Sequence, residues 1–323
     1  MIPSWFAEYR PEVLGGLRRA VAGDGLLFDM VRDHLGLDGR AEGTGKLVRS
    51  SLVLFTIEAL GGRRDEALPA AVALELIHGF SLVHDDIQDR DETRRGRPTL
   101  WSQYGVAQAI NAGDLLHALA AREAARAGAE AALILAAATG RMIEGQSLDL
   151  QLEARRGAAR DVLQMIDGKT GALLSCALEL PASLVGAAPK TREALAAAGI
   201  ALGRAFQIRD DLLGVWGDGA ALGKPVGSDV RRRKTSYAAA VAFERASGAL
   251  AEQLATIYSS PPTDAQVSWV VDCFTRLGVR EACQTAIEQY AARAKAKLDE
   301  IPVSPASRNG FDEFLSYLCG RST

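Results

Sequence analysis

What the chain lacks narrows it before any motif is read. The four cysteines (Cys176, Cys273, Cys283, Cys319) form no CxxC pair, and the N-terminal "MIPSWFAEYRPEVLGG" lacks a basic segment followed by an apolar run and a cleavage site. Both absences point to a reducing cytoplasm rather than a secreted protein. Excess positive charge is missing too: 37 Lys and Arg stand against 40 Asp and Glu, a formal charge of −3. That argues against nucleic-acid binding by bulk electrostatics, so any anion site must be a local cluster. The apolar runs, such as "AALILAAA" at 131–138, fall far short of a membrane span, and no integral membrane segment is expected. Apart from His84 beside Asp85, no histidine sits at zinc-ligand spacing, and no calcium loop with acids at alternate positions occurs.

What is present is helical periodicity. Apolar residues recur at spacings of three and four, as in Leu76, Ile77, Phe80, Val83 and Ile87, while alternating strand-like runs are scarce. Breakers at "GLDGRAEGTG" (36–45), "GGRRDEALP" (61–69), "RRGRPT" (94–99), "GDGAALGKPVGSD" (217–229) and "SSPPTD" (259–264) cut the chain into roughly a dozen helices. With no repeat, low-complexity linker or shift in composition, residues 1–323 read as a single all-α domain.

The acids stand out against this background. In "SLVHDDIQDRDETRRGRPT" (81–99), Asp85, Asp86, Asp89, Asp91 and Glu92 crowd against Arg90, Arg94, Arg95 and Arg97. A helix over 70–89, with Pro69 at its start where a missing N–H costs little, puts Asp85 and Asp89 one turn apart and Asp86 within an arc of about 100°. Like charges so placed repel, and are relieved by solvent, by the arginines that follow, or by a bound cation. A second cluster, "FQIRDDLLGVWGD", places Asp210 and Asp211 one turn after Gln207 among Phe206, Ile208, Leu212 and Leu213, where a carboxylate pair needs a partner. Mg²⁺ suits both clusters, because it takes one or two carboxylates and completes its shell with water and phosphate oxygens. The cations for such an anion are Lys46, Arg49, Arg94, Arg95, Lys169, Lys224 and Lys234, several beside glycine or a helix start.

In chain order these segments resemble the trans-isoprenyl diphosphate synthases, the polyprenyl synthetase family. "GKLVR", "DDIQD" followed by "RRG", "EGQSLDL" (144–150), "GKTGALL", "FQIRDD" and "GKPVGSD" with Lys234 match the family's motifs from about residue 45 to 236. The resemblance implies an all-helical bundle around a central cavity, a cytoplasmic homodimer, and about three Mg²⁺ per active site. It implies that Asp85, Asp86, Asp89 and Asp210, with Asp211 beside it, hold the metal on an allylic diphosphate, aided by Arg94, Lys169, Lys224 and Lys234. Lys46, Arg49, His78 and Arg95 would clamp isopentenyl diphosphate, and Thr170 and Gln207 would steady the allylic cation. Phe80 and Ser81, five and four residues before Asp85, would set chain length, the combination resembling enzymes that make C20, with C15 next.

Two segments depart from the family's pattern. Gly214 stands where the second motif has its third aspartate, and in "GKLVRS" Leu47 replaces an arginine and Ser50 a proline. A class I terpene cyclase on the same scaffold would keep the aspartates but need no isopentenyl clamp. An inactive partner subunit would be expected to lose the aspartates or Lys234.

Overall fold

In the computed structural model, which describes residues 3, 5–37, 45–155, 157–217 and 226–320, helix follows helix. The first are α1 (Trp5–Ala20), α2 (Leu26–His34), α3 (Val48–Ala59) and the long α4 (Arg64–Gln88). The helix expected over 70–89 starts earlier than its proline suggests. Asp65 and Glu66 occupy the first turn of α4, where carboxylates favour the positive end of the helix dipole, and Pro69 is absorbed inside at the loss of one backbone bond.

Between α4 and the next helix, the "RRGRPT" breaker forms a minimal antiparallel hairpin, β1 (Thr93–Arg94) against β2 (Arg97–Pro98). Its two turn residues, Arg95 and Gly96, have φ of 53° and 74°, the left-handed pair that a tight two-residue hairpin needs. There follow α5 (Leu100–Tyr104), α6 (Val106–Ala127), α7 (Ala129–Arg155), α8 (Ala159–Ile166), a π-helical turn (Asp167–Gly171), α9 (Ala172–Leu184) and α10 (Pro189–Trp216). The chain then continues through α11 (Ser228–Arg231), α12 (Tyr237–Arg245), α13 (Gly248–Tyr258), α14 (Asp264–Arg276), α15 (Val279–Asp299) and α16 (Pro305–Cys319).

Two compact units partition the chain. The first comprises Met1–Thr139, Ser175–Ala196 and Glu300–Gly310; the second comprises Gly140–Leu174, Ala197–Asp299 and Phe311–Thr323. At the centre of the first unit is α4, which packs against α1, α3 and α6 and is buried nearly all round between Ala67 and Phe80, as an apolar helix must be. By length and composition α4 is the one described helix apolar enough to cross a membrane, but 67% of that stretch lies buried inside the protein, which makes it core. The second unit is built on Val162, Ile166, Ile208, Val215, Val270, Phe274, Val279 and Cys283, which join α8, α10, α14 and α15. All four cysteines are free thiols, three of them buried.

Candidate active site

The C-terminal end of α4 separates its aspartates by burial. Asp86 points inward, only 2% exposed, and accepts a 2.6 Å bond from Arg94 Nε. Burial raises its pKa and Arg94 opposes the rise. Asp85 is half-buried with Arg94 Nη2 at 3.9 Å, and Asp89, the residue that ends the helix, is exposed. Of the three expected metal ligands, Asp89 is exposed, Asp85 is 18% exposed with its Oδ1 buried, and Asp86 is already paired.

The same unit collects cations around a buried acid. Glu75, on the turn of α4 before His78, is buried and accepts a 2.9 Å hydrogen bond from Ser50 Oγ, which also reaches the Leu47 carbonyl at 3.1 Å. Burial raises the Glu75 pKa and Arg49 pulls it back. Arg49 Nε and His78 Nδ1 are buried without a hydrogen-bond partner. The His78 pKa is pushed well below the usual imidazole value by burial and then by Arg49, Arg95 and Arg94. Unpaired donors among converging cations are what an anion would satisfy. The hairpin turn lays the Arg95 guanidinium over Gly45, where a Cβ would come within 2.7 Å of Nη1. Lys46 is exposed just ahead of α3. Both departures in "GKLVRS" now have a physical basis: Leu47 adopts φ of 52° and turns its side chain into the core, and Ser50 is the partner of Glu75.

A small cavity of about 50 Å³, lined by Asp33, His34, Asp86, Arg94, Arg95 and Arg97 among others, completes this half. His34 Nε2 lies 3.1 Å from the Gly79 carbonyl oxygen, and its pKa falls from 6.5 to about 4 through burial first and Arg94 second. A histidine with a depressed folded pKa contributes stability above its unfolded pKa and loses it as pH falls through the window between the two values. His34→Asn is therefore expected to flatten the acid limb of the melting-temperature profile between pH 6.5 and 4, by on the order of 3 kcal/mol at its lower end. Parallel thermal melts of the two proteins across that range check it.

In the second unit a chain of polar contacts joins three helices. Lys169 and Thr170 sit on the π-helical turn, a distortion often found at functional sites. The turn is held where glycine lets backbones meet: a Cβ on Gly168 would lie 2.7 Å from the Gly145 Cα, and one on Gly203 would lie 2.5 Å from the Gly171 Cα. Lys169 Nζ bonds Asp149 Oδ2 at 2.7 Å. Thr170 Oγ1 donates to Gln207 Oε1 at 3.1 Å, and Gln207 Nε2 donates to Asp211 Oδ1 at 3.1 Å. Asp211, 1% exposed, also accepts from Lys234 Nζ at 3.1 Å and from the Tyr237 N–H at 2.8 Å. Burial works against the Lys234 ammonium, and Asp211, Asp229 and Asp210 overcome it, raising its pKa. Asp211 was expected as a metal ligand; both of its oxygens are taken by protein donors, and only Asp210 is presented outward. Lys224 lies outside the described residues.

Three residues given no role above belong to these groups: Asp149 within "EGQSLDL", Asp229 within "GKPVGSD", and Glu75, which lies outside every quoted motif. Glu75 carried a signal, an acid inside the otherwise apolar "AVALELIHGF". Among the described residues no three His, Cys, Asp or Glu side chains converge as a ready-made metal cage. The exposed carboxylates of Asp89 and Asp210 suit Mg²⁺, which takes one or two carboxylates and draws the rest of its shell from water and phosphate.

All-helical folds carrying such acids and cations include the isoprenoid synthases. The chain belongs to the polyprenyl synthetase family, whose model matches residues 37–274. The (2E,6E)-farnesyl diphosphate synthase of Mycobacterium tuberculosis is 46% identical over 196 residues, 59% of this chain and 54% of that protein, so the chain spans about half the length of that relative. A geranylgeranyl diphosphate synthase of the same organism is 42% identical over 273 residues, 82% of this chain and 78% of that protein. Among solved structures, the geranylgeranyl pyrophosphate synthase from Corynebacterium glutamicum, complexed with isoprenyl diphosphate and magnesium, superposes with a TM-score of 0.85 at 27% identity, covering 99% of each chain.

Proposed function

We propose that the chain is a Mg²⁺-dependent prenyltransferase that joins isopentenyl diphosphate to dimethylallyl, geranyl or farnesyl diphosphate and makes a short-chain all-trans prenyl diphosphate. The observation that carries this reading is the group of Arg49, His78 and Arg95 around buried Glu75, present in addition to the outward acids. A cyclase acting on one diphosphate has use for the acids and none for this second anion site.

In the reaction the allylic C–O bond breaks and its electron pair leaves with the diphosphate. The double bond of isopentenyl diphosphate attacks the allylic carbon, and loss of a proton restores the alkene. Mg²⁺ would supply charge stabilisation to the departing diphosphate, and Asp85, Asp89 and Asp210 would hold it, three ions per site being the number we propose. Lys169 and Lys234, each fixed by a carboxylate, take up charge on that diphosphate. The Thr170 and Gln207 dipoles steady the allylic cation, and Lys46, Arg49, His78 and Arg95 clamp isopentenyl diphosphate.

The proposed product is C20, with C15 next. Phe80, 8% exposed, is wedged between the rings of His84 and His117, with centroids at 4.7 and 5.3 Å, and Ser81 Oγ donates to the His78 carbonyl. Phe80→Ala is expected to lengthen the product by at least one isoprene unit; an unchanged chain length removes Phe80 from the tunnel floor. Exposed Val106, Ile110 and Leu133 favour a homodimer, and four free thiols suit a cytoplasmic enzyme.

The test is a product assay with purified protein, Mg²⁺ and isopentenyl diphosphate, each allylic starter in turn, read by mass spectrometry. A C20 or C15 prenyl diphosphate supports the proposal. A hydrocarbon formed without isopentenyl consumption favours the cyclase, and silence with every starter favours a partner subunit.

A further inference from the structure

Two side-chain bridges in one register join the π-helical turn to α10. Thr170 Oγ1 donates to Gln207 Oε1 at 3.1 Å. Three residues earlier on both elements Arg204 grips Asp167, Nε to Oδ1 at 2.6 Å and Nη2 to Oδ2 at 2.5 Å. Each bridge spans the same 37 residues of sequence, so the turn and α10 run side by side with matched spacing. Neither member of the second bridge belongs to the motifs: Asp167 immediately precedes "GKTGALL", and Arg204 stands two residues before "FQIRDD".

The bridges differ in strength. Thr170 and Gln207 share one hydrogen bond between neutral groups, whereas the Arg204–Asp167 pair is charged and two-pronged, about twice as strong per bond and fixed in plane as well as in distance. Its side chains are 25% and 30% exposed, so solvent screens the pair less than one on the open surface. A third helix holds the guanidinium: Arg204 Nη1 donates to the Tyr290 hydroxyl of α15 at 3.4 Å, and Cζ lies 5.1 Å from the centroid of that ring. A π turn is rare and departs from the α ladder kept by α8 and α9 on either side, so contacts from outside the helix decide its register.

We infer that Arg204 is a positioning residue for prenyl transfer: clamped on Asp167 and Tyr290, it sets the register of the π-helical turn and thereby aims the Thr170 hydroxyl at Gln207. This inference rests on the reading of Thr170 and Gln207 as the dipoles beside the allylic cation. A dipole displaced by about 1 Å stabilises that cation less without loosening either substrate. Arg204→Lys keeps the charge and loses the two-pronged grip, and Asp167→Asn keeps the shape and loses the charge.

The experiment measures kcat and both KM values, beside thermal melts, for wild type, Arg204→Lys, Asp167→Asn, Thr170→Val and the double variant Arg204→Lys/Thr170→Val. Arg204→Lys and Asp167→Asn are expected to lower kcat about tenfold while both KM values stay within about twofold of wild type. A pair that served the fold alone would lower the melting temperature and leave the kcat of the folded protein unmoved. The double variant is expected to turn over within about threefold of Thr170→Val alone, because the hydroxyl that Arg204 positions is already gone. Wild-type kcat in either folded single variant, or penalties that multiply in the double variant, overturns the inference and leaves the functional reading standing. A wild-type chain that consumes no allylic starter with isopentenyl diphosphate overturns both.

Discussion

Asp85→Ala is expected to lower turnover by about 10³-fold, roughly 4 kcal/mol in the barrier, at saturating substrates and Mg²⁺. The size follows from where the side chain sits. Asp86, one residue on, is buried against Arg94 at 2.6 Å, so its charge is largely committed within the protein; Asp85 meets the same guanidinium only at 3.9 Å, one turn before exposed Asp89. Losing Asp85 removes a ligand for the charge that has to be stabilised as the diphosphate departs. Asp85→Ala should therefore melt at or slightly above the wild-type temperature, since one member of a repelling acidic cluster has gone. Incorporation of isopentenyl units, measured beside a thermal melt, checks both parts. Normal turnover would sink the metal-ligand role, and a large drop in melting temperature would reassign Asp85 to structure.

How far this site could be read in advance depended on how local each interaction is. The face shared by Asp85 and Asp89 follows from helix geometry alone, and the helical periodicity around it is strong, so the first cluster was legible. The hairpin that carries Arg94 and Arg95 was legible only as a break, because its two-residue strands are too short to show alternation. Pro69 reads as the start of α4, whereas the acids four and three residues before it mark the true first turn. Asp149 and Lys169 meet across 20 residues of sequence, and Gln207 and Thr170 across 37. No periodicity reports such pairs, nor the π-helical turn that brings two of the four residues into place.

Asp211 offers the sharpest contrast with its neighbour. Asp211→Ala is expected to destabilise the protein by about 3 kcal/mol, several degrees in melting temperature, whether or not metal is present. Three donors converge on this one carboxylate: Gln207 Nε2 and Lys234 Nζ, both at 3.1 Å, and the Tyr237 N–H at 2.8 Å. Alanine leaves all three without their acceptor and deprives the partly buried Lys234 of its nearest counter-charge, and breaking a buried pair costs more than the pair itself contributes. Asp210 is exposed, so Asp210→Ala should leave the melting temperature within about 1 °C of wild type while lowering turnover as Asp85→Ala does. A carboxylate whose main work is to hold metal behaves like Asp210, because a metal-free fold gains nothing from it. Melting both variants without and with Mg²⁺ and pyrophosphate separates the roles. If Asp211→Ala melts like wild type in the metal-free protein, its three hydrogen bonds carry no net stability and the residue returns to the list of metal ligands. If it melts low while Asp210→Ala does not, the paired aspartates of the second motif divide their labour, one bracing Lys234 and Gln207 from below and the other left for the ion.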